Sequence, residues 1–311
     1  MERYVLAGYS ITEVSNKIEA IRVLTQDEFN IIKGAIKSLG DFDKRQSLYH
    51  ISRDNSEELI SFSKEGNSQL NQDQFNEEVA KNTVEAINRR LISYLSSFIT
   101  FRDNWCKRLK PLNKVEEGKF NLYRLFEDRL DFHWNNSFSY RFFDQLRSYI
   151  QHRYLPPVVL KVRVLPQLQQ RQLSIFLKRD ELLKDDKLKK KKKVGEEVEN
   201  GPELIDLIGN ILDFNACVED LNRICTLIDF YSVAQDWNLL GDMCYEVKEQ
   251  LPQASPCLAI IPSAPSNSEH PSEQRIKMRL FDFPKRTMIK MQEMEPSLRE
   301  FAHLGAPRPQ K

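Results

Sequence analysis

Residues 84–109, VEAINRRLISYLSSFITFRDNWCKRL, carry the clearest helical pattern in the sequence. The apolar residues that recur every seven positions are Val84, Leu91, Phe98 and Trp105, with Leu95 and Leu109 in the neighbouring row. This spacing places them on one face of an α-helix. The pattern predicts a helix over 73–110 that ends at Pro111 and, at about 1.5 Å per residue, is more than ~50 Å long. A helix of this length spans a whole domain.

Two further helices and a hairpin follow the long helix. Residues 119–132 and 136–154 have helical periodicity, and two prolines close the second of them. The short apolar stretches at 158–164 and 172–179 predict a β-hairpin, and helical periodicity returns at 202–250. We therefore expect a mainly α fold, with a helical bundle core around a long central helix, a β-hairpin and additional C-terminal helices.

Changes in composition and periodicity divide the chain into five segments. They are a mixed α/β N-terminal region at 1–70, the helical core at 71–155, the β-hairpin at 156–182, a helical segment that packs on the core at 202–250, and a Pro/Ser-rich linker and tail at 251–311. A short strand is expected within the tail, at 276–283, and the lysine-rich stretch 184–201 is expected to be a solvated loop.

The N-terminal region contains a predicted helix at 25–39. Thr25 and Glu28 have the spacing of a capping box, in which each side chain bonds to the backbone N–H of the other residue. Gly40 is expected to end this helix. The following stretch SLYHISR, at 47–53, is β-prone.

Composition restricts the class of protein. Hydrophobic residues make up 41% and charged residues 29%, and the net charge is +1, so any anion-binding surface must be local. The five cysteines form no CxxC pair, which fits reduced thiols.

The start lacks a signal-peptide pattern and no apolar run approaches the ~20 residues of a membrane helix, so we expect a soluble, cytoplasmic protein. HExxH, GxSxG and glycine-rich phosphate-loop motifs are missing, and no cofactor or metal is expected.

Two polar residues interrupt the apolar stripe of the long helix. Asn88 and Arg102 are fourteen residues apart and return to nearly the same face. An unsatisfied buried polar group costs about 1–3 kcal/mol. Each residue therefore has a partner on a neighbouring helix, lines a wet cleft or belongs to a site.

The helix at 136–154 has one apolar face and one polar face. With Leu146 at the centre of the apolar face, the residues that project to the opposite side are Tyr140, Asp144, Arg147, Ser148 and Gln151, joined by His152. On an ideal helix, Arg147 and His152 lie about 140° apart. This polar face either meets solvent or lines a pocket.

The sequence RSYIQH at 147–152 resembles the R-x4-6-H signature of the HEPN superfamily of helical domains, common in defence and toxin systems. The wider context, a long helix, an aromatic segment ending in YRFFDQLRSYIQH, then LPP and a hairpin, resembles a family of uncharacterised bacterial proteins whose helix reads LRNYAQH. The resemblance covers about 75–180. It implies a HEPN-like core at 71–155.

The resemblance also implies roles for individual residues. Arg147 would hold the scissile phosphate, since a guanidinium offers a bidentate fork. His152 would transfer a proton at the 2′-hydroxyl or at the leaving oxygen, because an imidazole gains and loses protons near neutral pH. Ser148 would take the supporting polar position, and Tyr140, Asp144, Gln151, Arg102 and Asn88 are further supporting candidates.

The implied function is a metal-independent endoribonuclease of a host-defence, phage-defence or toxin–antitoxin system. The implied partners are RNA, a second copy of the chain that completes the site, and an antitoxin or other protein, with no membrane. The lysines that offer an additional nucleic-acid contact are Lys189, Lys190, Lys191, Lys192 and Lys193; alternatively they are a solvated loop. The rival hypotheses are a non-catalytic helical protein that binds nucleotide, RNA or another protein, and a scaffold.

Overall fold

The computed structural model describes residues 2–11, 16–70, 76–111, 122–152, 155–165, 170–262 and 279–282. In these ranges the elements are β1 (Glu2–Ile11), β2 (Asn16–Leu24), α1 (Gln26–Leu70), α2 (Glu77–Leu109), α3 (Leu122–Asn136), α4 (Phe138–His152), β3 (Val158–Leu165), β4 (Gln170–Lys178), α5 (Arg179–Leu182), α6 (Asp186–Lys190), α7 (Lys192–Glu199), β5 (Leu204–Asp206), α8 (Leu207–Gln250), β6 (Ser255–Pro262) and β7 (Arg279–Asp282). The fold is mainly helical, as predicted.

The described residues form two compact units. One contains the described residues up to Arg45 and from Leu227 to Asp282, and the other contains the described residues of 46–226. The boundaries between the units fall inside α1 and α8. This arrangement differs from the five consecutive segments expected from the sequence, because residues from both ends of the chain belong to one unit.

The first unit is an antiparallel sheet with helices on it. Its strands lie in the order β2-β1-β6-β7, so that Val5 is opposite Val23 on one side and Ala259 on the other. The core residues that join sheet and helices include Leu6, Leu24 and Leu258 from the strands, Phe29, Ile32 and Leu39 from α1, and Val233, Leu240 and Val247 from α8.

A strand lies where the sequence analysis expected a linker. Ser255–Pro262 forms β6 and pairs along β1. Cys257, Leu258 and Ala259 are fully buried there. Prolines and serines flank this short apolar run in the sequence and gave the whole region the composition of a linker. The short strand expected at 276–283 is present as β7.

The first helix begins as predicted but does not end where predicted. The Thr25 hydroxyl accepts from the backbone N–H of Glu28, and the Glu28 carboxylate accepts from the backbone N–H of Thr25 at 2.8 Å. The prediction that Gly40 ends the helix, and that 47–53 is β-prone, is wrong, since α1 continues to Leu70. The buried stripe beyond Gly40 includes Ser52, Ser56 and Ser63, and small polar residues hide an apolar periodicity.

The second unit has an aromatic core. The ring of Phe214, on α8, lies 4.7 Å from that of Phe98 on α2 and 5.1 Å from that of Phe143 on α4, measured between centroids. Trp105 and Phe142 are also buried. The predicted stripe on the long helix is therefore a true core face, and the same core fixes the orientation of α4.

The predicted β-hairpin is confirmed and extended. Strands β3 and β4 pair antiparallel from Val158 opposite Leu177 to Leu165 opposite Gln170, and β5 adds a third strand. The prediction of a loop at 184–201 is wrong, because α6 and α7 form there around buried Leu188, Val194 and Val198. These apolar residues are isolated among many charges, which gave the stretch the composition of a loop.

Candidate functional site

Helix α4 carries the predicted site and is packed against its neighbours through most of its length. The hydroxyl of Ser137 accepts from the backbone N–H of Tyr140 and caps its first turn. The residues of α4 that are buried are Ser139, Tyr140, Arg141, Phe142, Phe143, Gln145, Leu146 and Tyr149. Burial is thus nearly continuous through the first half of the helix and becomes one-sided only near its end. A side chain on the last turns is held in place by a tightly packed segment.

Arg147 and His152 lie in the last two turns of α4, which we call the exposed end of this helix. Arg147 and Ser148 are partly buried, and Gln151 and His152 are exposed, with His152 the last residue of the helix. Neither the Arg147 guanidinium nor the His152 imidazole forms a hydrogen bond or ion pair with another residue that the structure describes. Both groups are therefore available to a ligand or a second molecule.

Arg102 and Asp144, two predicted supporting residues, are brought together between α2 and α4. The Arg102 Nη1 donates to Asp144 Oδ1 at 2.5 Å, and a second guanidinium nitrogen approaches Asp103 at 3.2 Å. The Gln145 amide also donates to Asp144, at 2.9 Å. This is the interhelical pairing that was one of the alternatives for Arg102, and it neutralises this guanidinium.

Electrostatics keep the Arg102 pair charged. Burial alone would lower the pKa of Arg102, but the charge and the hydrogen bond of Asp144 outweigh it, so the net shift of the pKa is upward. The ring of Phe98 lies 5.8 Å from the guanidinium carbon and adds a cation–π contact. The ion pair therefore links α2 to α4 about one helical turn before Arg147.

Tyr140 does not belong to the polar face, and the prediction that it does is wrong. Its side chain is 3% exposed, with its ring 6.0 Å from that of Phe98 and 5.8 Å from that of Phe214. Burial raises the pKa of the Tyr140 phenol, and the nearby Arg102 opposes the rise. The ideal-helix projection assumed one buried side, whereas the first turns of α4 contact neighbours on several sides.

Asn88 is buried on α2 but far from the other candidates on that helix. Its side chain is 4% exposed, and its Oδ1 has no hydrogen-bond partner among the described residues. Fourteen residues of helix separate it from Arg102, about 21 Å at 1.5 Å per residue. The structure does not bring Asn88 into the cluster of Arg102 and Asp144.

The lysine run lies on short helices. Lys189, Lys190, Lys191 and Lys193 are exposed, whereas the side chain of Lys192 lies outside the described part. The Lys193 ammonium donates to the backbone carbonyl of Asn135 at 2.8 Å. One of the five lysines therefore has a structural role that holds α7 against the end of α3.

The sequence analysis missed a charged cluster between α3 and α8. His133 lies within α3 and is buried, and its Nε2 is 2.7 Å from Asp220 Oδ2. The Arg129 guanidinium donates hydrogen bonds to both oxygens of the same carboxylate. Burial alone would raise the pKa of Asp220, but the hydrogen bonds from Arg129 and His133 make the net shift downward.

The signal for this cluster in the sequence is faint. Arg129 and His133 are spaced i, i+4 on one helix face. Their common partner, Asp220, is 91 residues away from Arg129, and no local sequence pattern predicts this pairing. The three side chains bond to one another and join two helices. They differ in this respect from Arg147 and His152.

No group of three or more His, Cys, Asp or Glu side chains in the described ranges is arranged to hold a metal ion. Among the helices of these ranges, none combines the length and the apolar character needed to cross a membrane. No protein-family model matches the chain, and no curated protein or solved structure matches it either. The similarity to HEPN domains therefore stays a prediction.

Proposed function

We propose that the chain is a metal-independent endoribonuclease of a host-defence or toxin–antitoxin system, and that Arg147 and His152 act on RNA. The observation that carries the proposal is the contrast between two arginines of the same unit. Arg102 is neutralised by Asp144, whereas Arg147 has no anionic partner in the part of the chain that the structure describes. A guanidinium on a packed helix that has no carboxylate partner can bind a phosphate through two hydrogen bonds.

The two side chains supply the groups that cleavage at a 2′-hydroxyl requires. His152 takes the proton of the 2′-hydroxyl as its oxygen forms a bond to phosphorus, and the bond from phosphorus to the 5′-oxygen breaks. The leaving 5′-oxygen accepts a proton from a second imidazole or from water. Arg147 stabilises the negative charge that accumulates on the non-bridging oxygens in the transition state.

Helical geometry supports a site shared by two copies of the chain. On one α4, Arg147 and His152 are about 140° apart around the axis and about 7.5 Å apart along it, so they do not face a single point. A two-fold axis beside the exposed end of α4 brings Arg147 of one copy toward the partner's His152.

The test is cleavage of a labelled single-stranded RNA by the purified protein in excess chelator. Arg147→Ala and His152→Ala are each expected to reduce the rate by a factor of about 100 or more, the scale of acid–base catalysis. Both should leave Tm unchanged, because neither side chain is paired with a described residue. Arg147→Lys keeps the charge but loses the bidentate fork, and its rate should be intermediate.

The matched control is Lys81→Gln, which removes a positive charge from an exposed position on α2 and should cleave at the wild-type rate. Undiminished cleavage by His152→Ala would contradict the mechanism. Retained RNA binding by all variants without any turnover, even by the wild-type protein, would instead favour the rival hypothesis of a non-catalytic binding protein.

A further inference from the structure

The three-stranded sheet of the second unit has one apolar and one polar face. Along β4, Leu173, Ile175 and Leu177 are at most 5% exposed, and Ile205 of β5 joins them. The intervening residues of β4 point to the other face. Because residues that pair across antiparallel strands share a face, the register also puts Lys161 and Arg163 of β3 there.

We call this second side the outer face and define it by Lys161, Arg163, Gln172, Ser174, Phe176 and Lys178. Lys161, Arg163 and Gln172 are exposed, and the other three are partly buried. The Lys161 ammonium lies 5.7 Å from the centroid of the Phe176 ring, which confirms that the two side chains meet on one side of the sheet.

The positive charges of the outer face are not neutralised by ion pairs within the described residues. The nearest carboxylate in the register is Asp206, which is opposite Phe176 on β5. Its Oδ1 accepts from the backbone N–H of Ile208 at 3.1 Å and caps the first turn of α8. The outer face thus presents two cations that have no carboxylate partner among the described residues, on an edge strand beside an aromatic ring. The apolar layer on the other side of the sheet is packed.

We propose that the outer face binds single-stranded RNA, with a base stacked on Phe176 and phosphates held by Lys161 and Arg163. Proteins bind single-stranded nucleic acids through aromatic rings with adjacent cations, because every base has a π-face and every phosphate linkage carries a negative charge. Double-stranded RNA hides its base faces and fits this surface poorly. The inference rests on the proposed function, since the bound strand is the substrate of Arg147 and His152.

Chain connectivity places the outer face within reach of the proposed cleavage site. Val158, the first residue of β3, is six residues after His152, so their Cα atoms are at most about 22 Å apart. Lys161 is three residues further along, within about 32 Å of His152 by the same limit. An RNA strand that contacts both the outer face and the cleavage site is bound on one side of its scissile phosphate. Binding at the outer face would therefore select unpaired segments of RNA as substrate.

The test measures binding rather than cleavage. The probe is a fluorescent 2′-O-methyl oligonucleotide of about 12 nucleotides without self-complementarity, which lacks the attacking hydroxyl and stays intact. Phe176→Leu keeps an apolar side chain against the sheet but removes the π-face, and is expected to weaken binding roughly tenfold, within the range for loss of one stacked base. Tm of this variant should remain close to that of the wild type.

The charge contribution is tested with a double variant, Lys161→Gln with Arg163→Gln. Loss of two phosphate contacts should weaken binding and make the log–log salt dependence shallower by about 1.4, from ~0.7 per contact for single strands. The matched control is Lys64→Gln with Lys81→Gln, which removes two exposed positive charges from α1 and α2 of the same unit and should leave both quantities unchanged.

The outcomes separate this inference from the proposed nuclease activity. Binding by Phe176→Leu within twofold of the wild type, or equal binding of a duplex of the same length, overturns the outer-face proposal even if RNA is cleaved. Weakened binding by both outer-face variants, with no weakening in the control, supports it even if the wild-type protein cleaves nothing. In that second case the nuclease proposal alone fails.

Discussion

At the level of single residues, the structure contains two kinds of polar side chain. Some form ion pairs that join helices, and others have no partner among the described residues. Arg102 with Asp144, and Arg129 with His133 and Asp220, are closed sets joined at hydrogen-bond distance. Buried charges are tolerated when they are paired in this way. The exposed end of α4 carries the opposite arrangement, a guanidinium and an imidazole without described partners. This difference, rather than spacing alone, distinguishes a candidate site from a structural clamp.

The Asp220 cluster gives a prediction on pH. Because the pKa of Asp220 is below its unfolded value of about 3.9, its stabilising effect is present above that value and is lost as pH falls through the lower, folded-state pKa. Asp220→Asn should lower the free energy of unfolding by about 1–2 kcal/mol at pH 7, measured by urea denaturation. The deficit relative to the wild type should shrink below about pH 4.

The control for this series is Asp213→Asn, an exposed carboxylate on the same helix, which should have little effect at either pH. A deficit for Asp220→Asn that stays the same from pH 7 to pH 3 would show that the carboxylate charge does not stabilise the fold. The role assigned to Arg129 and His133 would then be incorrect.

At the scale of elements, the sequence predicted what depends on local periodicity. The apolar stripe of α2, the capping box of Thr25 and Glu28, and the alternation of β3 and β4 are all local signals, and each element was found. The elements that were missed have interrupted signals. Serines occupy the buried stripe of α1 beyond Gly40, charges surround the three apolar anchors of α6 and α7, and prolines and serines flank β6. The missed partner Asp220 depends on tertiary packing, which no local pattern encodes.

The continuity of α1 can be tested at Gly40. A Cβ added there meets no atom within 4 Å, and the residue lies in the helix interior. Gly40→Ala should therefore raise the free energy of unfolding by about 0.5–1 kcal/mol, the difference in helix propensity. If the helix ended at Gly40 in a left-handed conformation, the same change would destabilise the protein. Gly34→Ala, also in open space within α1, is the matched control and should stabilise in either case.

At the scale of the whole molecule, the sequence does not reveal that the described residues up to Arg45 and those after Leu227 belong to one unit. β1 pairs with β6 about 250 residues later, and such a long-range pairing leaves no trace in local composition. The proposed active assembly is larger still, because Arg147 and His152 lie about 140° apart around one helix and we propose that a second copy contributes its own α4. The proposed site then lies at the axis of a homodimer.

Mixing two inactive variants tests the shared site. If Arg147 acts with the partner's His152, a heterodimer of Arg147→Ala and His152→Ala contains one intact site, and the mixture should regain cleavage that neither protein has alone. The measurement is the cleavage rate after the two proteins are combined and allowed to exchange subunits, with mixed dimers verified by distinct tags. Absence of recovery in verified mixed dimers would place both groups of a working site on one copy.

The central claim is that the Arg147 and His152 side chains cleave RNA through its own 2′-hydroxyl. The most direct measurement is the chemical identity of the new ends when an RNA and its 2′-O-methyl analogue are incubated with the protein in excess chelator. We expect a 2′,3′-cyclic phosphate on the 5′ fragment of the RNA and no cleavage of the analogue. Cleavage of the analogue, or cleavage that stops when metal ions are removed, would contradict it.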